Sequence, residues 1–443
     1  MGGGLVRILS AQTGLAGTLA GSIATAAMAF TADAAFAANL RTLYSFCALR
    51  NCTDGSNPEG PVLRTRTGEI FGTTTMGGTN FAGVVFEITP AGSQSVIYDF
   101  CSLSNCADGS QPYSNLIADR NGDLYGVTQT GAAQAAGSGG TVFELMPNAG
   151  GTQWTLHVLY TFCSEANCAD GQTPYTGLSY PGRERGDLYD GRSPLYGTTA
   201  SGGANNAGLI FKLTEHSGER RETILHSFCA STNCSDGDGP QSTPIVDAHG
   251  NVFGTTSGGG NGGTFYELSP TGTKYAETVL YSFCQQQSCA DGLGPGGALA
   301  MDSSGAFYGT TADRGARGSG ALYKLVPNGV ASTETVLYSF CTGLGCPDGW
   351  MPSGVAMDAS GNLFGTTSNG GQTGFGVLFE LAGGSESVLY TFCEKNIGGD
   401  CSDGGEPRSG VIVDEGAVFG TTTVDANNYG AGGTVFKLRI PAR

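Results

Sequence analysis

Leu40-Arg-Thr-Leu-Tyr-Ser-Phe-Cys47 decides how the chain is organised, because its last five residues return with small variation. The copies end at Cys47, Cys101, Cys163, Cys229, Cys284, Cys341 and Cys393, at spacings of 54, 62, 66, 55, 57 and 52 residues. A second cysteine follows each one, at Cys52, Cys106, Cys168, Cys234, Cys289, Cys346 and Cys401. An Asp-Gly pair comes next, beginning at Asp54, Asp108, Asp170, Asp236, Asp291, Asp348 and Asp403. A length of 443 residues alone suggests three domains, but this periodicity replaces them with seven tandem units of about 58 residues.

Within a unit, four short β-type runs alternate with Gly-rich turns. In the second unit they cover 114–118, 124–128, 141–146 and 156–162. Asp119-Arg-Asn-Gly122 suits a type I turn closed by a glycine at positive φ, and Asp247–Gly250, Asp302–Gly305 and Asp358–Gly361 are its counterparts. The second run always holds a glycine (Gly72, Gly126, Gly197, Gly254, Gly309, Gly365 or Gly420), which would let neighbouring sheets converge near an axis. Seven four-stranded units predict an all-β fold, a seven-bladed β-propeller whose sheets bury both faces. A parallel β-helix is the rival, but its coils are shorter and need no closure. The ends of the chain separate the two. Residues 40–46 read as a fourth strand with no first three, whereas the last unit has three strands (410–413, 418–422 and 433–438) and no fourth. The N-terminal strand should therefore complete the last blade and close the ring.

Residues 1–37 read as a signal peptide, with Arg7, an apolar run over 8–30 and a small-x-small site at Ala35-Phe-Ala37. An uncleaved anchor is the competing reading, and the Gly, Ser, Thr and Gln12 of that run weigh against it. Residues 38–443 are then one exported domain, secreted, periplasmic or at the cell surface, and not an integral membrane protein once the signal is cleaved. The 75 glycines follow no three-residue period, which excludes collagen. An excess of 38 Asp+Glu over 21 Lys+Arg makes nucleic acid and anionic membranes poor partners.

The pattern Leu-Tyr-Gly-Thr-Thr, Gly-Gly-Thr-Val-Phe-Glu-Leu, Leu-Tyr-Ser-Phe resembles the GloVer (Gloeobacter/Verrucomicrobium) tandem repeats of exported bacterial proteins. The resemblance covers residues 40–440. It implies a propeller-like repeat in surface or secreted proteins and carries no established activity. Membrane-anchoring tails are common in that family, and Phe436-Lys-Leu-Arg-Ile-Pro-Ala-Arg443 does not read as one.

Fourteen cysteines in seven local pairs are the most specific chemical signal. In an exported protein the expectation is one disulfide per pair, Cys47–Cys52 through Cys393–Cys401, with pairing across units as the alternative. Two sulfurs per site are too few for tetrahedral zinc, so no metal or other cofactor is expected. Closing a six-residue loop contributes about 2 kcal/mol by chain entropy. The seven Asp residues would cap turns, with each following Gly at positive φ; the alternative is a carboxylate ring holding a cation.

Both the Cys loops and the Gly-rich loops between strands two and three fall on one face of a propeller. Aromatics occur there irregularly, at Phe81, Phe375 and Tyr429, and at Tyr113, Tyr175 and Trp350 just after Asp-Gly. They are candidates for stacking a sugar ring; the plainer reading has Tyr113, Tyr175 and Trp350 packing over the Cys loops. Gly182-Arg-Glu-Arg-Gly-Asp-Leu-Tyr-Asp190-Gly-Arg-Ser-Pro194 in the third unit reads as a solvated insertion on the opposite face. Strand three carries Glu87, Glu144, Lys212, Glu267, Lys324, Glu380 and Lys437 in register, which suggests charge complementarity between blades. No nucleophile-elbow, zinc-protease or P-loop motif occurs. The leading expectation is a non-catalytic propeller whose stiffened loop face binds a glycan or protein. A polysaccharide lyase or glycoside hydrolase with a site at the channel mouth is the alternative, and a structural envelope protein is the third.

Overall fold

In the computed structural model the described residues are 40–113, 115–131, 139–397, 400–424 and 432–440. The signal-peptide expectation for 1–37 and the candidate Tyr429 lie outside them. Among the described residues, regular structure is β-strand apart from short 3-10 turns. In the second unit Leu124–Thr130, Thr141–Pro147 and Trp154–Thr161 form an antiparallel meander. Its first strand comes in two pieces, Ser110–Pro112 and Ile117–Ala118, both paired with Leu124–Thr130. Pro112, which has no N–H to give a ladder, ends the first piece. This strand therefore starts nearer the Asp-Gly turn than the alternation predicted.

Four-stranded sheets of this kind recur along the chain. Those of the fifth and sixth units are joined by a single parallel bridge, Ala298 with Gly354. Leu40–Ser45 pairs antiparallel with Thr434–Arg439, which continues to Ala417–Thr422 and Ile412–Asp414. The first strand in the chain thus supplies the fourth strand of the last unit. Asn57 N–H also donates to the Gly432 carbonyl at 2.9 Å, so first and last units touch directly.

Repetition of the sequence produces repetition of the packing. The second-strand glycine seats an aromatic from strand three. A Cβ on Gly72 would lie 2.5 Å from Phe86 Cζ, and one on Gly420 would lie 2.6 Å from Phe436 Cζ. Its role is to make room for a ring in its own sheet, and convergence on an axis does not explain it. The same ring then meets the Phe that precedes a Cys in the preceding repeat, as Phe46 meets Phe86 at 4.9 Å and Phe392 meets Phe436 at 5.1 Å. These rings are fully buried, and edge-to-face pairs add about 0.5–1.5 kcal/mol each beyond their burial.

Strand-three charges have a local explanation too. Each stands opposite an aromatic of strand two in its own sheet, as in Tyr196 with Lys212 and Phe419 with Lys437. Lys324 Nζ lies 5.2 Å from the Tyr308 ring centre, and the Tyr125 hydroxyl donates to Glu144 at 2.6 Å. The third-unit insertion is no loose loop. Tyr189 within it is fully buried against Tyr125 and Tyr180, and Arg220 donates to its hydroxyl at 2.9 Å.

Candidate functional site

Every Cys pair closes locally, from Cys47–Cys52 to Cys393–Cys401. Inside each loop lies the side chain of the Asp-Gly aspartate. Asp291 is fully buried and accepts from the backbone N–H groups of Gln285 at 2.9 Å and Gln286 at 3.1 Å. A third donor is the Tyr281 hydroxyl at 2.9 Å, from the Leu-Tyr-Ser-Phe strand that leads into the loop. Tyr44, Tyr98, Tyr160, Tyr338 and Tyr390 do the same for Asp54, Asp108, Asp170, Asp348 and Asp403, and His226 takes the place of Tyr beside Asp236. A β-bulge just before this Tyr turns it toward the loop. With their oxygens engaged, these carboxylates organise the loops and form no cation ring. The glycines after them lie at φ between +84° and +111°, which L residues avoid. Among the described residues no group of three or more His, Cys, Asp or Glu is placed to hold a metal.

The segment after each Asp-Gly turn leads to a cavity of about 550 Å³ lined by all seven units. Each segment contains a proline, from Pro58 to Pro407, packed onto the glycine that opens strand three of the preceding repeat; a Cβ on Gly433 would lie 2.6 Å from Pro58, and one on Gly83 2.7 Å from Pro112. That contact fixes the backbone and aims the next side chain inward. The next residue is Glu59, Tyr113, Tyr175, Gln241, Gly296, Ser353 or Arg408, and all seven line the cavity. Around an otherwise repetitive frame, this position carries six residue types in seven units, Tyr alone occurring twice.

Tyr113 and Tyr175 stack with ring centres 4.4 Å apart and planes 24° off parallel. They stack on each other at the cavity wall, which replaces the reading that has them packing over the Cys loops. Burial pushes the Tyr113 hydroxyl up, reinforced by the charge of Glu59. Glu59 is itself held above the usual carboxylate range by burial, against the opposing charge of Arg408. Arg408 is anchored by Glu406 at 3.0 Å.

The remaining candidates scatter. Phe375 lines a second, smaller cavity of about 270 Å³ that also touches Glu59 and Arg408. Trp350 stands 39% exposed beside Met351, which does line the large cavity. Phe81 is 67% exposed and lines neither. Glu59, Arg408 and Gln241 were missed as site residues. Their signal was present as the position directly after an invariant proline, where the repeats disagree.

Disulfide-stiffened, four-stranded antiparallel sheets in tandem define a propeller-like, all-β repeat protein. The model of the Gloeobacter/Verrucomicrobia repeat matches residues 16–190 and 183–436, and the chain belongs to that family. No curated protein matches it. Among solved structures, a proposed 6-phosphogluconolactonase of Bacteroides uniformis is 12% identical, with a TM-score of 0.48 over 80% of this chain and 88% of that one. A proposed oxidoreductase (glucose dehydrogenase) of Thermus thermophilus is 15% identical, with a TM-score of 0.40 over 79% of this chain and 98% of that one.

Proposed function

We propose that the protein is an exported seven-bladed propeller, its ring closed by Leu40–Ser45 in the last blade, that binds a glycan in the cavity shared by its blades and performs no chemistry on it. One observation carries this reading: the seven cavity-facing positions after the prolines hold six different residue types while the frame around them repeats. Scaffold positions repeat because each blade has the same packing to satisfy, whereas a ligand of low symmetry needs unlike partners around it. A stacked tyrosine pair beside Glu59, Gln241, Ser353 and Arg408 offers a flat apolar face with hydroxyl-binding groups at its edge. Among the described lining residues Glu59 is the one carboxylate, while glycoside hydrolysis ordinarily uses a pair. Seven disulfides fit an extracellular protein, and no helix of the described residues is long and apolar enough to cross a membrane. Cleavage after Ala37 belongs to the same proposal.

A glycan array run beside a polysaccharide-degradation panel tests it. Binding without product release, lost in Tyr113→Ala, is the expected result. Release of unsaturated or reducing ends would turn the reading to the lyase or hydrolase alternative, and silence on both panels would favour a protein partner or a scaffold.

A further inference from the structure

Glu59 and Arg408 line the cavity of about 550 Å³. Both residues also line the smaller one, whose wall includes Phe375. Phe375 is rigidly held: its carbonyl accepts from Glu406 N–H at 2.8 Å, and its ring packs against Val424 and the Cys393–Cys401 bridge. The order of groups is then an aromatic platform (Tyr113 on Tyr175), a charged pair (Glu59 and Arg408), and a second platform (Phe375). Pyranose rings present flat C–H faces to aromatics and hydroxyls to charged groups at their rims, so this order of flat, polar and flat groups suits consecutive sugars.

Resting on the glycan reading above, we infer that the ligand is a neutral oligosaccharide of at least two units that crosses from the large cavity, between Glu59 and Arg408, onto Phe375. Neutrality follows from charge. Arg408 is already paired with Glu406 and faces Glu59, and a net charge of −17 repels polyanions.

The test is calorimetry with cello-, malto- and manno-oligosaccharides of one to five units on the wild type, Phe375→Ala and Tyr113→Ala. In at least one series, affinity should rise about tenfold from one unit to three, the worth of one added stacking contact, and then level off. Phe375→Ala should return the trisaccharide to the affinity of the monosaccharide and leave the monosaccharide unchanged. Tyr113→Ala should weaken every length. If Phe375→Ala loses its fold by near-ultraviolet dichroism, Phe375→Leu keeps the apolar packing and removes the flat face. Affinity independent of length, or an unaffected trisaccharide in a folded Phe375 variant, overturns the two-platform inference and leaves the cavity reading standing. Tighter binding of oligouronates overturns the neutral assignment. No binding in any series overturns the inference together with the glycan reading it rests on.

Discussion

Asp291 shows what a single side chain contributes to each loop. With two backbone N–H groups and the Tyr281 hydroxyl directed at it, Asp291→Ala leaves buried donors without partners. Such a loss costs about 1–3 kcal/mol, which a lowered urea midpoint would register. Tyr281→Phe removes one donor and leaves the backbone pair intact, so it should cost the smaller amount, about 1 kcal/mol. Gly420→Ala works in the opposite sense, by overfilling. A Cβ 2.6 Å from Phe436 Cζ has no room, and about 1–3 kcal/mol should be lost in the same assay. The structural role of the aspartates was legible from their sevenfold recurrence. Their partners were not, although a Tyr or His stands ten residues before six of these aspartates and thirteen before Asp403. Those tyrosines sit in strands that read as uniformly apolar, and the bulge that redirects them leaves no mark in the alternation.

At the scale of strands, the fourth strand carries a pH-dependent strain. Glu222, Glu277, Glu334 and Glu386 each stand on a fourth strand with Oε1 buried and unpartnered, near Asp170, Asp236, Asp291 and Asp348 of the neighbouring unit. Burial, aided by these aspartates, pushes Glu222 from 4.5 up to about 8 and the other three to about 7. A raised carboxyl binds its proton in the folded state first. Stability is therefore greatest below about pH 4.5 for these four groups and falls as pH rises toward 8. His226, lowered by burial, pulls weakly the other way below its ordinary 6.5. The urea midpoint should be higher at pH 5.5 than at pH 8, and replacing the four glutamates with glutamine should flatten the difference. Partial exposure of all four keeps the effect modest. Strand number and order were legible because Gly-rich turns punctuate every unit. The broken first strand was not, since the proline that interrupts it also serves the cavity wall.

For the whole molecule, each of the seven bridges closes a single Cys loop, between cysteines five or eight residues apart, and none joins two loops. Native protein should show no titratable thiol, and reduction should lower the thermal midpoint while leaving far-ultraviolet dichroism unchanged at room temperature, because the sheets and the aromatic contacts between units do not depend on sulfur. The cavity was beyond sequence reasoning as a place, since its wall draws a few residues from each of seven distant segments. The aromatics picked for their chemistry met it in part, at Tyr113 and Tyr175, while Phe81 did not. The pairing of Leu40–Ser45 with Thr434–Arg439 has a further consequence for biosynthesis. Leu40–Ser45 is synthesised long before its partner strand, so this sheet cannot be completed until Thr434–Arg439 has been made. A permuted gene that moves residues 38–47 behind residue 440 would make every sheet contiguous, and such a protein should refold faster than its parent while reaching the same end state.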